Sequence, residues 1–348
     1  MAGGGIAVFV LASALWSVDA AATLVPGAIF SFLIVAAYVF AVYLDPADFV
    51  RTTFWTMAFI ILASFVLLAV APEFVTKPRG DGGWLSNDQF LGILATKNGA
   101  GMLFASAVMI SVLAGSLRIS LVWRIGVAIL GLAGVVLSNA ATTAVVLVLV
   151  TSLAMWMKYV RVLRFEIAFC VAIILLALVL ALPFIDFSEL HLFEFLGRDS
   201  SLTGRDQLWV LALEYIEKRP ILGYGYHGFF SADPYSPAWF FWDNFRYFIT
   251  GSFHNSAADV AIALGLTGVV VLCGVCLGSF FVVFNRTIDD ASRCILILFV
   301  HVSLVDSMTN FAIFFHNSFP TFIVFYAFFA AGQRYAGNSV DGIGVPAS

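Results

Sequence analysis

The sequence predicts an all-α polytopic membrane protein with about ten transmembrane helices and a large outer loop that contains an amphipathic helix. Three observations predict it. Hydrophobic residues make up 62% of the 348-residue chain, charged residues only 11%, and the mean hydropathy is +1.01. A soluble domain carries roughly 25% charged residues, so this much apolar surface has no aqueous solution available to it. Apolar runs of about 20 residues, the length that crosses a bilayer core, recur along the chain. A single polar stretch, 185–254, interrupts them and has helical periodicity near its middle.

The apolar runs lie at about 4–17, 24–44, 53–71, 98–117, 120–137, 140–157, 165–184, 255–284, 293–309 and 311–331. The first is short, and the eighth is long enough to tilt or to extend past the bilayer. The chain divides accordingly into N-terminal transmembrane helices (1–184), a large loop (185–254), C-terminal transmembrane helices (255–336) and a tail (337–348). The tail contains Gly and Ser without a hydrophobic pattern and is expected to be disordered. The N-terminus lacks a basic stretch and runs straight into "IAVFVLASALW", so no cleavable signal peptide is expected. No repeat of 20–50 residues is apparent.

Basic residues set the expected orientation. With a cytoplasmic N-terminus, one side collects Arg51, Arg118, Arg124, Lys158, Arg161, Arg164, Arg286, Arg293 and Arg334, nine of the 17 Lys and Arg. The other side holds eight, five of them in the long loop, where the positive-inside rule carries little weight, leaving nine against three. Both termini are therefore expected in the cytoplasm and the 185–254 loop on the outer face. That face also carries "WSVD" (16–19), the 72–97 loop and the "SNAATT" turn (138–143).

Within the loop, "TGRDQLWVLALEYIEKRP" (203–220) reads as an amphipathic helix. Leu208, Leu211, Ala212, Tyr215 and Ile216 share one stripe, and Pro220 ends it. "LGYGYHGFF" follows, its glycines suited to tight turns. Then "YSPAWFFWDNFRYF" (235–248) places eight aromatics in fourteen residues. Rings at that density suit the membrane interface and also suit stacking on sugar faces; interface anchoring is the favoured of the two.

Several classes of function are disfavoured. Basic residues are few and scattered, which argues against nucleic acid. The cysteines, Cys170, Cys273, Cys276 and Cys294, all lie in or beside apolar runs, so no disulfide framework is expected, and the C-x-x-C at 273–276 reads as helix packing. The outer loops hold no closely spaced carboxylate or histidine set of the kind that binds a metal, so neither a metal nor another cofactor is expected.

A series of short motifs occurs in order: "LWSVD" (15–19), "TKNGAG" (96–101), "GRDQLW" (204–209), "RPILGYG" (219–225), and "HN" (254–255) followed by "LGLTG" (264–268). In this order, with a large loop between the arginine and the histidine, the chain resembles the O-antigen ligase and exopolysaccharide polymerase superfamily of bacterial inner-membrane glycosyltransferases. The resemblance spans nearly the whole chain, although relatives often have about twelve helices. It implies a metal-independent, inverting transfer at the outer face of the inner membrane. The donor would be a glycan on undecaprenyl diphosphate, and the acceptor a hydroxyl on another glycan, a lipid or a protein. Membrane lipid and polysaccharide assembly proteins are the implied partners. Exopolysaccharide or O-antigen polymerisation is preferred over ligation.

Such a reaction needs positive charge for the departing diphosphate and a base or orienting acceptor for the attacking hydroxyl. Arg205 is the first choice for the diphosphate, since a guanidinium stays charged and binds phosphate bidentately, and it opens a helix whose N–H groups favour an anion. Lys97, beside Asn98 at the outer end of a membrane helix, is the second; Arg246 and Arg198 are further cations. His254 leads as base or positioner, because histidine titrates near neutral pH, with Asn255 holding the ring or touching sugar. Trp209 is a further substrate-binding candidate. "FFHNSFP" (314–320) repeats His-Asn-Ser, which makes His316 a competitor, and Asp306 is an ionisable residue inside a membrane run. One departure stands out. Relatives often carry a basic residue in an S-x-S-[RK]-T turn, where this chain has Ala141 within "SNAATT". The rival from another class is a transporter or flippase of lipid-linked glycans, which needs ionisable or broken-helix sites near the bilayer midplane.

Overall fold

The computed structural model describes residues 2–78, 88–94, 96–159, 170, 174, 177, 205–231, 233–239, 251–280, 290–309 and 314–341. Ten helices are built from these residues: α1 (Ala2–Ala12), α2 (Ala20–Tyr43), α3 (Pro46–Val70), α4 (Lys97–Leu113), α5 (Leu121–Ser138), α6 (Ala141–Tyr159), α7 (Arg205–Lys218), α8 (Ser256–Phe280), α9 (Asp290–Thr309) and α10 (Phe319–Asp341). Apart from 170, 174 and 177, the expected run at 165–184 lies outside the described residues, as does the aromatic segment 240–248. The loop after α3 adds one small element, a two-stranded antiparallel hairpin of β1 (Thr76–Pro78) and β2 (Asp88–Phe90).

Four helices, α2, α3, α5 and Ser256–Ser279 of α8, are long and apolar enough to cross a membrane. Their large side chains are not all packed inside the protein: Phe32 is 75% exposed, Phe59 70% and Val122 80%. Contiguous apolar surface of this kind needs lipid, and the chain is an all-α membrane protein.

Local signals account for the helix ends. Asp45 caps α3, its carboxylate accepting from Ala47 N–H, with Pro46 at the first position. Thr96 caps α4 through Gly99 N–H. The last helix begins at Phe319, later than the apolar run from 311 suggests. Ser318 Oγ accepts from Thr321 N–H, and Pro320 suits only a first turn. His316 therefore lies in a turn before the helix and not within it. At its other end α10 continues to Asp341, into the segment expected as a tail.

Two compact units make up the chain. One comprises Met1–Ala37, Ile173–Leu277 and Asp306–Phe322; the other comprises Tyr38–Ala172, Gly278–Val305 and Ile323–Ser348.

Candidate active site

The first unit is organised around α7. Its predicted stripe is buried as the periodicity requires. Leu208, Trp209 and Ala212 join Tyr224, Phe229, Phe253, Ala258 and Ile262 in one core cluster, with Leu211, Tyr215 and Ile216 packed against it. Trp209 is 5% exposed, and its indole N–H donates to the carbonyl oxygen of Phe253 at 2.9 Å. It is thus a buried tether to the residue before His254, not an open stacking surface for substrate.

The segment after α7 docks into a break in α8. Gly265 has φ 68° and ψ −168°, which interrupts the helix. In an unbroken helix Leu266 N–H would bond the carbonyl of Ile262. Instead Leu266 N–H donates to Pro220 O at 2.8 Å, and Ile262 O accepts from Tyr224 N–H at 2.8 Å. Thr267 Oγ1 adds a bond to Ile221 O at 2.9 Å. The Leu266 N–H and the Ile262 carbonyl, both freed by the break, are therefore satisfied by the loop, the condition under which membrane helices tolerate irregular backbone. A β-carbon on Gly265 would lie 2.1 Å from Ile221 O, so "RPILGYG" and "LGLTG" interlock only with glycine there.

"LWSVD" closes the other side of the same loop. Trp16 Nε1 donates to Leu222 O at 2.8 Å, Val18 N–H to Tyr224 O at 3.2 Å, and Tyr226 N–H to Ser13 Oγ at 3.0 Å. Gly225 sits against Ser17, where a β-carbon would approach to 2.4 Å.

His254 follows Phe253, the residue tied to Trp209. It is half-buried and in the left-handed region, φ 55°, a conformation that costs a residue with a β-carbon roughly 1 kcal/mol. A polar cradle holds it there. His254 N–H donates to Ser252 Oγ at 2.9 Å, Ser252 Oγ donates to Asp259 Oδ2 at 2.8 Å, and Phe253 N–H donates to Asp259 Oδ1 at 2.8 Å. Asn255 Oδ1 accepts from Ala257 and Ala258 N–H at 2.9 and 3.1 Å, so this oxygen caps α8 instead of facing a ligand.

Beside the cradle is a cavity of about 60 Å³. Tyr226, Phe229, Phe230, Phe314 and Phe315 give it an aromatic wall, and His227, Ser252 and Asp259 supply its polar side chains. His227 is left-handed, φ 60°, and its Nε2 lies 3.1 Å from Nδ1 of His316. Tyr226 Oη donates to Phe314 O at 2.7 Å, a second tie between the same two segments. Burial, and secondarily His316, holds the His227 imidazole down at about 4; burial also lowers His316.

One unit therefore holds His254, Asn255, Trp209, His316 and the start of α7. Arg205 opens that helix, but its side chain lies outside the described residues, as does that of Asp306 in α9; Arg198 and Arg246 lie outside them entirely. Lys97 and Asn98 begin α4 in the other unit. There Gly101, one turn further, abuts the "SNAATT" turn, a β-carbon on it falling 2.7 Å from Ala140 Cβ. Among the described residues no group of three or more His, Cys, Asp or Glu is placed to hold a metal ion. His227 and Asp259 are the site residues that sequence reading missed. Asp259 had one available signal, a carboxylate in the first turn of the helix that follows His254.

Residues 126–273 match the family model for O-antigen ligase. The exopolysaccharide production protein ExoQ of Rhizobium meliloti (strain 1021) is 31% identical over 99 residues, 27% of this chain and 22% of the relative. The aligned stretch thus spans less than a quarter of that relative's length. No solved structure matches the chain. The matched span includes Trp209, His227, His254, Asp259 and the break at Gly265, and over it the chain is similar to the O-antigen ligase/polymerase superfamily.

Proposed function

We propose that this protein is a glycosyltransferase of lipid-linked glycans, acting at the outer face of a bacterial inner membrane with both termini in the cytoplasm. The single observation that carries the reading is that four separate stretches interlock in one unit, one of them bonded to Phe253 beside His254. They are "LWSVD", the helix after Gly204, "RPILGYG" and "LGLTG". A carboxylate, a serine and a buried tryptophan support the left-handed backbone at His254, as suits a residue held in place for function.

In the reaction, an acceptor hydroxyl attacks the anomeric carbon of a sugar on undecaprenyl diphosphate. The new C–O bond forms as the bond to the diphosphate oxygen breaks, with inversion. His254 takes or orients the hydroxyl proton. Arg205, with the N–H groups of the first turn of α7, takes the charge of the leaving diphosphate. Lys97, which opens α4 in the other unit, is a separate candidate for phosphate. Asp306 and Arg246 belong to the substrate path, and the protein supplies this charge without a metal. Growth of an exopolysaccharide or O-antigen chain is preferred over ligation, in line with the relative named for exopolysaccharide production.

The break at Gly265 is the feature a transporter would share. Its Leu266 N–H and Ile262 carbonyl are bonded to Pro220 and Tyr224, so these two groups do not serve a cargo, which favours transfer over transport. The test is complementation. Cells lacking the protein should accumulate lipid-linked single repeats, and the wild type should restore polymer. Arg205→Lys and His254→Ala should not, despite normal membrane levels; restoration of normal yield and chain length by either would count against its assigned role.

A further inference from the structure

The polar groups of the cavity divide into two sets. Ser252 and Asp259 belong to the cradle of His254. His227, with His316 bonded to it, belongs to neither the cradle nor the core, yet the chain holds His227 in the left-handed region to keep its ring at the cavity wall.

The bond between the two rings fixes what the pair offers. Two neutral imidazoles sharing one hydrogen bond use one N–H and one lone pair. The two outward nitrogens are then necessarily one donor and one acceptor, whichever way the shared proton lies. Burial keeps both rings neutral near pH 7. Only His227 of the two lines the cavity, and its outward nitrogen, donor or acceptor, can pair with a sugar hydroxyl, which is both, whereas an imidazolium offers only donors. The remaining walls are aromatic, which suits the C–H face of a pyranose. At about 60 Å³ the space holds about four or five water-sized groups, which is the edge of one sugar ring and not an oligosaccharide. Gly251 and Ser252 in its lining place it next to His254, the residue read as facing the attacking hydroxyl.

We propose that His227, oriented by its bond to His316, and the aromatic cavity form a hydroxyl-recognition subsite for the acceptor sugar. This rests on the reading of the protein as a glycan transferase. It differs from a tie that simply joins two turns, because Tyr226 and Phe314 already provide that tie.

The probe is the repeat oligosaccharide released by mild acid from the lipid-linked glycan of cells lacking this protein, with sugar-free undecaprenyl diphosphate as the control. The full-length protein in detergent is treated with diethyl pyrocarbonate, and modification of each histidine is read by peptide mass spectrometry. The oligosaccharide should slow modification of His227 and His316 about threefold or more, and the control lipid should not. His316→Gln and His227→Asn, the latter a residue at ease with positive φ, should each raise KM for the lipid-linked repeat about tenfold while leaving kcat within about threefold. Equal modification with and without oligosaccharide, or a loss of kcat at unchanged KM, overturns the subsite. Protection in a protein that transfers nothing supports the subsite and counts against the transfer reading. Transfer without protection and with unchanged KM removes the subsite alone.

Discussion

The indole of Trp209 donates to the carbonyl oxygen of Phe253 at 2.9 Å, so the helix that opens with Arg205 is tied directly to the residue before His254. The two groups read as handling the leaving diphosphate and the attacking hydroxyl are thereby set in register by one buried bond. Trp209→Phe keeps most of the packing and removes that bond, at a cost of about 1 kcal/mol in stability. We expect protein in the membrane at near wild-type level, with polymer yield per molecule down about tenfold, the effect of about 1.4 kcal/mol on the barrier. Quantitative immunoblotting alongside polymer assay checks it, and full yield would show that the tether is only structural.

Asp259 holds His254 at one remove, through Ser252 and the Phe253 N–H. Asp259→Asn retains one acceptor and should keep part of the activity. Asp259→Leu removes both acceptors and strands the Phe253 N–H, at about 1–3 kcal/mol. The ordering wild type, Asn, Leu in kcat is the expected result; an inactive Asn variant with normal folding would instead point to direct contact between the carboxylate and substrate.

Gly265→Ala should be worse for folding than any change at the site. Its β-carbon would fall 2.1 Å from Ile221 O at φ 68°, so the loop must leave the helix break and expose its backbone groups. A loss of about 2 kcal/mol or more is expected, visible as a lowered unfolding temperature in detergent and a smaller monodisperse peak on size exclusion. An unshifted melting temperature would mean that the loop is not docked there.

The histidine pair makes stability depend on acid. His227 is held down at about 4 in the fold against about 6.5 for a free imidazole. Between those values the unfolded chain binds the proton and the fold does not, so stability is complete above pH 6.5 and falls as pH drops toward 4. His227→Asn should flatten the fall in unfolding temperature over that range. An identical slope in the variant would show that His227 is freely protonated in the fold.

Much of the fold is readable because bilayer length and apolar runs are tied by simple geometry. The stripe Leu208, Leu211, Ala212, Tyr215 and Ile216 is buried as a 3.6-residue period requires. The start of α10 differs because Ser318 and Pro320 outweigh the apolar run before them. The break at Gly265 is hidden for another reason: glycine in a membrane helix is ordinary, and only the approach of Ile221, far away in sequence, shows why this one is required. The motifs carried His254 and Trp209, though Trp209 acts as a buried tether. His227 had no motif of its own, since its partner His316 lies 89 residues away and pairing at that distance leaves no local pattern.

The most direct test is reconstitution of the purified protein in liposomes with lipid-linked repeats from cells that lack it, products being read by mass spectrometry. Wild-type protein should yield glycans lengthened by whole repeat units with release of undecaprenyl diphosphate, and His254→Ala protein of equal amount and fold should yield none. Wild-type protein that moves the lipid-linked glycan across the bilayer without lengthening or transferring it, or a His254→Ala variant with undiminished product, would contradict it.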